Sequence, residues 1–113
     1  MIKRPWGSYQ TLIDEPNYKV KRIYVKPDSQ FSLQYHNHRE EHWIMVEGTG
    51  IITQGDIARP IESGEYAYIP KKEIHRLHGG EKGVVFIEIQ RGVCDEDDIV
   101  RLEDDYGRIS KEQ

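Results

Sequence analysis

Residues 34–48 read Gln34-Tyr35-His36-Asn37-His38-Arg39-Glu40-Glu41-His42-Trp43-Ile44-Met45-Val46-Glu47-Gly48, and the rest of the chain is best read outward from them. Three of the five histidines fall inside this stretch, and the other two, His75 and His78, stand together further on. Gln34, His36 and His38 alternate, so a strand running through them sets all three on one face. Glu41 follows after a turn. Neutral imidazole nitrogens and carboxylate oxygens are good ligands for divalent first-row metals, and three or four of them on rigid strands leave open positions for a substrate. A lone strand histidine is far more often a surface or hydrogen-bonded residue, and it is the clustering that lifts the metal reading above that background.

On either side of this stretch, short β-rich runs recur, each closed by Gly, Pro or Asp, and no sustained helical stripe of apolar residues interrupts them. Residues 18–26 form the first clear run, with Val20, Arg22, Tyr24 and Lys26 on one face and Lys21, Ile23 and Val25 on the other. Further strands are predicted over 31–36, 42–46 and 51–53, with a hairpin turn at Gln54, Gly55 and Asp56. A short strand over 57–61 contains Pro60, which marks it as a sheet edge or a strand end. Strands over 66–69 and 74–77 follow, then a turn at Gly79 and Gly80, then the most apolar run at 84–90. Beyond Gly92 the chain turns acidic, with Asp95 to Asp98 and Glu103 to Asp105 in a tail expected to be a short helix or an extended arm. Strands at this spacing predict an all-β sandwich or barrel.

A length of 113 residues suits a single domain, 1–113, without room for a second catalytic module. With 36% apolar residues, 32% charged residues and a mean hydropathy of −0.77, the core is expected to be thin. The shortage of core, with seven Tyr and two Trp to place, points to a homodimer, which a monomeric mass in sedimentation would contradict. The net charge of −4 and a pI near 5.7 give no footprint for nucleic acid. One cysteine, Cys94, rules out an intrachain disulfide, and the polar N-terminal residues carry no apolar signal region, which together suit a cytoplasmic protein. No apolar stretch approaches the roughly 20 residues of a membrane helix.

These residues resemble the cupin superfamily, an all-β fold of double-stranded β-helix (jelly-roll barrel) type, here with a short acidic C-terminal tail. The first cupin motif places two histidines, a glutamate and a glycine at set intervals. Gln34, His36, Glu41 and Gly48 fall at those intervals, with Gln in place of the first His. The second motif is matched by Gly64, Pro70 and His75, with Lys72 where the family has Gly and Gly79 where it has Asn. The resemblance implies a metal held by Gln34, His36, Glu41 and His75. A competing register takes His36 and His38 as the histidine pair, which leaves one residue fewer before Glu41 than the family has and would require a bulge; the Gln34 register is preferred, with His38 as the alternative ligand. The cofactor implied is one divalent ion, taken as zinc, with manganese, cobalt and nickel as alternatives that mixed N and O donors also suit.

The likeness extends over nearly the whole chain to type II mannose-6-phosphate isomerase. Arg4-Pro5-Trp6-Gly7, Val20 to Ile23, Val25 to Pro27, Ser32 to Gln34, His38, Arg39, Glu41 to Ile44, Asp97 to Val100 and the run from Glu103 to Arg108 carry it. That family usually forms the C-terminal half of bifunctional enzymes joined to mannose-1-phosphate guanylyltransferase. This chain has no Gly-rich nucleotide loop with a following Lys, so nucleotidyl transfer is not expected from it alone.

The resemblance implies interconversion of mannose 6-phosphate and fructose 6-phosphate, an aldose–ketose isomerisation on a small sugar phosphate. The chemistry needs a Lewis acid at the C1 and C2 oxygens, a base that moves a proton between those carbons, and cations for the phosphate. His38 is the first candidate base, being next to the metal pair with an imidazole that titrates near neutrality. Glu88 competes, since it and Gln90 are polar residues on an otherwise apolar strand, which is costly unless they line a wet cavity. Arg39 is the candidate phosphate ligand, with an ion pair to Glu40 or a loop acid as its structural alternative, and Gln90 is a second substrate contact. For Lys21, Arg22 and Lys26, a solvated outer face is the simpler expectation. His42 is placed opposite Glu41, while Tyr68 is a candidate for an inward position. Two rival readings stand beside the isomerase: a non-catalytic sugar- or metal-binding cupin, and another sugar-phosphate isomerase or epimerase, with metal dependence separating them.

Overall fold

A computed structural model of the chain describes residues 1–107, in which nine strands and no helix are found. In order they are β1 (Ile2–Arg4), β2 (Gly7–Glu15), β3 (Tyr18–Val25), β4 (Leu33–Tyr35), β5 (Arg39–Gln54), β6 (Ile57–Glu62), β7 (Tyr66–Ile69), β8 (His75–Gly92) and β9 (Val100–Glu103). Every pairing is antiparallel. Two long strands organise the rest: β5 pairs with β8 from Arg39 opposite Gly92 to Gln54 opposite His75, while β6 and β7 extend the sheet from β5 and β3 extends it from β8. Register shifts between Met45 and Glu47 and between Gly48 and Gly50 bend this pair, because an extra residue in one strand kinks it and raises its twist. The sheet thus curls around an interior.

The predicted strands over 42–46 and 51–53 are one continuous strand, β5, and those over 74–77 and 84–90 are one strand, β8. The expected turn at Gly79 and Gly80 is therefore absent. A Cβ on Gly79 would collide with the Lys26 carbonyl, so this glycine serves close backbone passage and not chain reversal. Gly48, at φ 82°, meets the Gly83 carbonyl in the same way, just where β5 bends against β8. The two-residue turn at Gly55 and Asp56 joins β5 to β6 as expected, and β6, with its Pro60, pairs with β5 alone, as an edge strand.

Strand alternation sorts the side chains. Along β5, Arg39, Glu41, Trp43 and Met45 face inward and are buried, while Ile44 and Val46 are exposed. Along β8, Val84, Phe86, Glu88 and Gln90 are buried, and on β3 Lys21, Ile23 and Val25 are. The inner face is apolar at one end, where Val25, Met45, Ile52, Ile61, Leu77, Val84 and Phe86 pack, and polar at the other. A buried polar group without a partner costs about 1–3 kcal/mol, so the row of Lys21, Arg39, Glu41, Glu88 and Gln90 requires a compensating arrangement.

Two segments differ from expectation. The hairpin of β1 and β2 gives no sequence signal because most of its residues are exposed on both faces, with only Trp6 and Tyr9 reaching the core. The acidic tail is extended, one of its two expected forms, but it does not stand apart from the sheet: its middle is strand β9, paired with β4 through Leu33 opposite Glu103, Gln34 opposite Arg101 and Tyr35 opposite Val100. Arg108, part of the family likeness, lies outside the described residues.

Candidate metal centre

Alternation and pairing bring His36, Glu41 and His75 together from the end of β4, from β5 and from the start of β8. One ligand atom from each lies within 4.8 Å of the others, and all three residues are buried. Both imidazoles are oriented from behind. His36 Nδ1 donates to the Asp98 carbonyl at 2.7 Å, and His75 Nδ1 donates to the Glu73 carbonyl at 2.9 Å, so each Nε2 keeps a lone pair aimed inward. His36 Nε2 stands 3.2 Å from Glu41 Oε2, and His75 Nε2 stands 3.9 Å from Glu41 Oε1. His75 Nε2 is buried and has no hydrogen-bond partner among the described residues.

Burial pushes the His36 imidazole down to about 4, against the pull of Glu41, so it is neutral at physiological pH. Burial works against Glu41 as well, but His36, His75 and Arg39 hold its carboxyl far below the usual range. Two inward-facing imidazole nitrogens and an ionised carboxylate match the donor set of a divalent first-row ion. An orphaned, buried Nε2 is what such an ion would satisfy.

Gln34 stands beside the cluster. It is the Cα partner of His75, and its amide Nε2 lies 3.5 Å from His36 Nε2 while Oε1 accepts from the Ser32 hydroxyl at 2.5 Å. A half-turn of that amide directs Oε1 at the cluster and lets the hydroxyl accept instead. His38, in contrast, is exposed and is not among the residues that line the cavity, because β4 ends at Tyr35 and the chain turns before Arg39.

A cavity of about 340 Å³ opens beside the cluster. Trp6, Ile23, Phe31 and Trp43 form its apolar wall, while Gln34, Arg39, Glu41, Glu88 and Gln90 form its polar floor. Glu88 is buried close to Glu41 and accepts from Gln90 Nε2 at 2.7 Å. Burial and the neighbouring Glu41 charge push its carboxyl up to about 8. Gln90 Oε1 is buried without a hydrogen-bond partner among the described residues, which leaves it available to a hydroxyl in the cavity.

Arg39 is not paired with Glu40. Its Nε donates to Glu41 Oε2 at 3.1 Å, Nη1 donates to the Asp95 carbonyl at 3.2 Å, and Nη2 lies 3.3 Å from His36 Nε2. Burial opposes its charge, but Glu41 and Glu88 hold the guanidinium protonated. Arg39 is thus a floor residue that balances Glu41. Arg22 and Lys26 are exposed, as the simpler expectation had it, whereas Lys21 is buried and lines the cavity. The signal for Lys21 was its shared face with Ile23 and Val25. His42 and Tyr68 both face outward, where the imidazole contacts the Tyr66 hydroxyl and Glu40 and the Tyr68 hydroxyl donates to Glu40, so Tyr68 is not an inward residue.

The acidic segment supplies a residue that sequence reasoning did not assign. Besides its carbonyl contact to His36, Asp98 accepts from the amides of Asn37 and His38 through Oδ1 and Oδ2 at 3.0 and 2.8 Å. Burial opposes ionisation there, yet these two amides hold its carboxyl below the usual range. Asp98 therefore fixes the turn that presents His36. Asp98→Ala is expected to weaken metal binding about 10–100-fold, read by competition with a chromophoric chelator. Unchanged affinity would show that the turn is held without it.

The family model described as "Mannose-6-phosphate isomerase C-terminal" matches residues 1–104. The xanthan biosynthesis protein XanB of Xanthomonas campestris pv. campestris is 46% identical over 109 residues, covering 95% of this chain and 23% of that protein. The mannose-1-phosphate guanylyltransferase ManC of Salmonella typhimurium is 41% identical over 110 residues, covering 96% of this chain and 23% of that protein. The chain thus spans about a quarter of the length of these relatives. A Klebsiella pneumoniae protein with a double-stranded β-helix domain superposes with a TM-score of 0.77 at 14% identity, over 89% of this chain and 88% of that one, which establishes the cupin fold. On the match across nearly its whole length, the chain belongs to the mannose-6-phosphate isomerase C-terminal family.

Proposed function

We propose that this chain is a metal-dependent aldose–ketose isomerase that interconverts mannose 6-phosphate and fructose 6-phosphate. The observation that carries the reading is the His36, Glu41 and His75 cluster, whose Glu41 lines the same cavity as Glu88. Gln34, His36, Glu41 and His75 would hold the ion, which when bound supplies a Lewis acid for the C1 and C2 oxygens of the open-chain sugar. Family membership supports the substrate class.

Glu88 is the group placed to move the proton. It adjoins Glu41, so a sugar whose oxygens face the ligand cluster brings C1 and C2 to its carboxyl. In its ionised form it takes the proton from C2 of the aldose and returns it to C1 while the O2 hydroxyl proton passes to O1, giving the ketose, and the reverse reaction runs the same steps backwards. Gln90 holds Glu88 through its amide and offers its own carbonyl to a sugar hydroxyl. Arg39 keeps Glu41 ionised, and the Trp6, Phe31 and Trp43 wall keeps the far side of the cavity dry.

The test incubates purified, metal-analysed protein with mannose 6-phosphate and follows fructose 6-phosphate. Turnover is expected, lost on chelation and restored by a divalent ion. No turnover after reloading with zinc, cobalt, manganese or nickel would sink the isomerase reading.

A further inference from the structure

Lys21 has an environment that the metal centre does not explain. It sits in the middle of β3 with its side chain turned into the cavity and 7% exposed, and its backbone is the Cα partner of Glu88. Its Nζ lies 3.0 and 2.9 Å from the two oxygens of Glu96 and 4.4 Å from the centroid of the Tyr9 ring. Lys19 Nζ donates to the same Glu96 carboxylate at 3.2 Å. Arg4 stands 5.4 Å from the same Tyr9 ring and lines the same cavity. A desolvated ammonium needs an anion, and the one it has comes from a side chain that is itself 52% exposed at the cavity mouth. Although burial opposes it, the pairing with Lys21 and Lys19 holds the Glu96 carboxyl below its usual range.

We propose that Lys21, flanked by Lys19 and Arg4, is the subsite for the substrate's phosphate, and that Glu96 is an internal anion occupying it until the phosphate takes its place. The assignment rests on the isomerase reading and names the second end of the same site. Neighbouring strands lie about 4.8 Å apart, so Lys21 on β3 stands one strand from Glu88 on β8 and about 10 Å from the β5 backbone that carries Glu41. An open-chain hexose phosphate with C1 and C2 at the ligand cluster runs past Glu88 towards Lys21. A phosphate monoester carries about −1.5 to −2 charges at neutral pH against the single charge of Glu96, so it wins the exchange where a neutral sugar does not. Glu96 thereby makes the site selective for phosphorylated substrates.

Inorganic phosphate is the probe, titrated by calorimetry into metal-loaded full-length protein and its variants, each checked by thermal melting. Glu96→Gln is expected to tighten phosphate binding about threefold to tenfold by removing the competing charge. Lys21→Met is expected to weaken it about tenfold or more, and the double variant to bind as poorly as Lys21→Met. Phosphate held by the metal alone would ignore Lys21. If Glu96→Gln leaves the affinity unchanged or lowers it, Glu96 is a structural tie and the proposal fails; it fails equally if folded Lys21→Met keeps full affinity. Should Lys21→Met not fold, Glu96→Gln decides alone, since its side chain is half exposed. The titration does not require turnover. Intact shifts without isomerisation refute only the isomerase reading, and an active enzyme without the shifts refutes only the subsite.

Discussion

Removing the His75 imidazole is expected to leave a folded protein that no longer retains a stoichiometric metal ion after gel filtration. His75 Nε2 has no hydrogen-bond partner among the described residues and its Nδ1 is committed to the Glu73 carbonyl, so beyond packing against Phe31 and Trp43 the imidazole serves to present Nε2 to the cluster. With His75→Ala, Glu41 and His36 remain as the strong donors and the weaker amide of Gln34 is the third, a set too weak to retain a first-row ion through gel filtration. Loss of the Lewis acid removes several kcal/mol of transition-state stabilisation, so turnover should fall by about 10²-fold or more. Metal content is read by elemental analysis beside the far-ultraviolet circular dichroism of a β protein. Gln34→Ala should lower metal affinity less severely, because an amide oxygen is the weaker ligand, and His38→Ala should leave bound metal unchanged because that side chain is exposed. Full metal content in folded His75→Ala would overturn the ligand assignment.

The second large effect is expected at Glu88. Glu88→Gln keeps the shape and still accepts the amide of Gln90, yet it cannot take a proton from carbon. A positioned general base is worth about 10²–10⁴ in rate, so kcat should drop by that factor, with KM changed little and metal bound as in the parent. This pattern separates Glu88 from His75, whose loss removes metal and turnover together. Near-parent kcat in the Gln variant would exclude Glu88 from proton transfer, and a parallel loss in His38→Ala would return that role to the exposed histidine.

Much of the fold was legible because its signals are local. The run at 18–26 showed which face Lys21, Ile23 and Val25 share, and the edge character of the strand with Pro60 followed from its missing N–H. The alternation of Glu41, Trp43 and Met45 against His42 and Ile44 likewise survives in the burial of β5. What misled was Gly79 and Gly80, whose composition reads as a turn, while their use is to let β8 pass close to Lys26 and Thr49. That distinction depends on which backbones cross, and nothing local to residues 79 and 80 records it.

The candidate site divides in the same way. By itself the sequence determined the donor types and their spacing, since these are properties of two local motifs. Only the tertiary structure decided that His38 faces solvent while Gln34 faces the cavity, because the end of β4 at Tyr35 breaks the alternation that would have carried both inward. It also decided that Arg39 balances Glu41, that Lys21 is enclosed against Glu96, and that Asp98 on the acidic tail orients His36 across 62 positions of sequence. Each of these depends on a partner far along the chain, and a hydrogen bond or ion pair exists only once the sheet has curled enough to bring the two groups to about 3 Å.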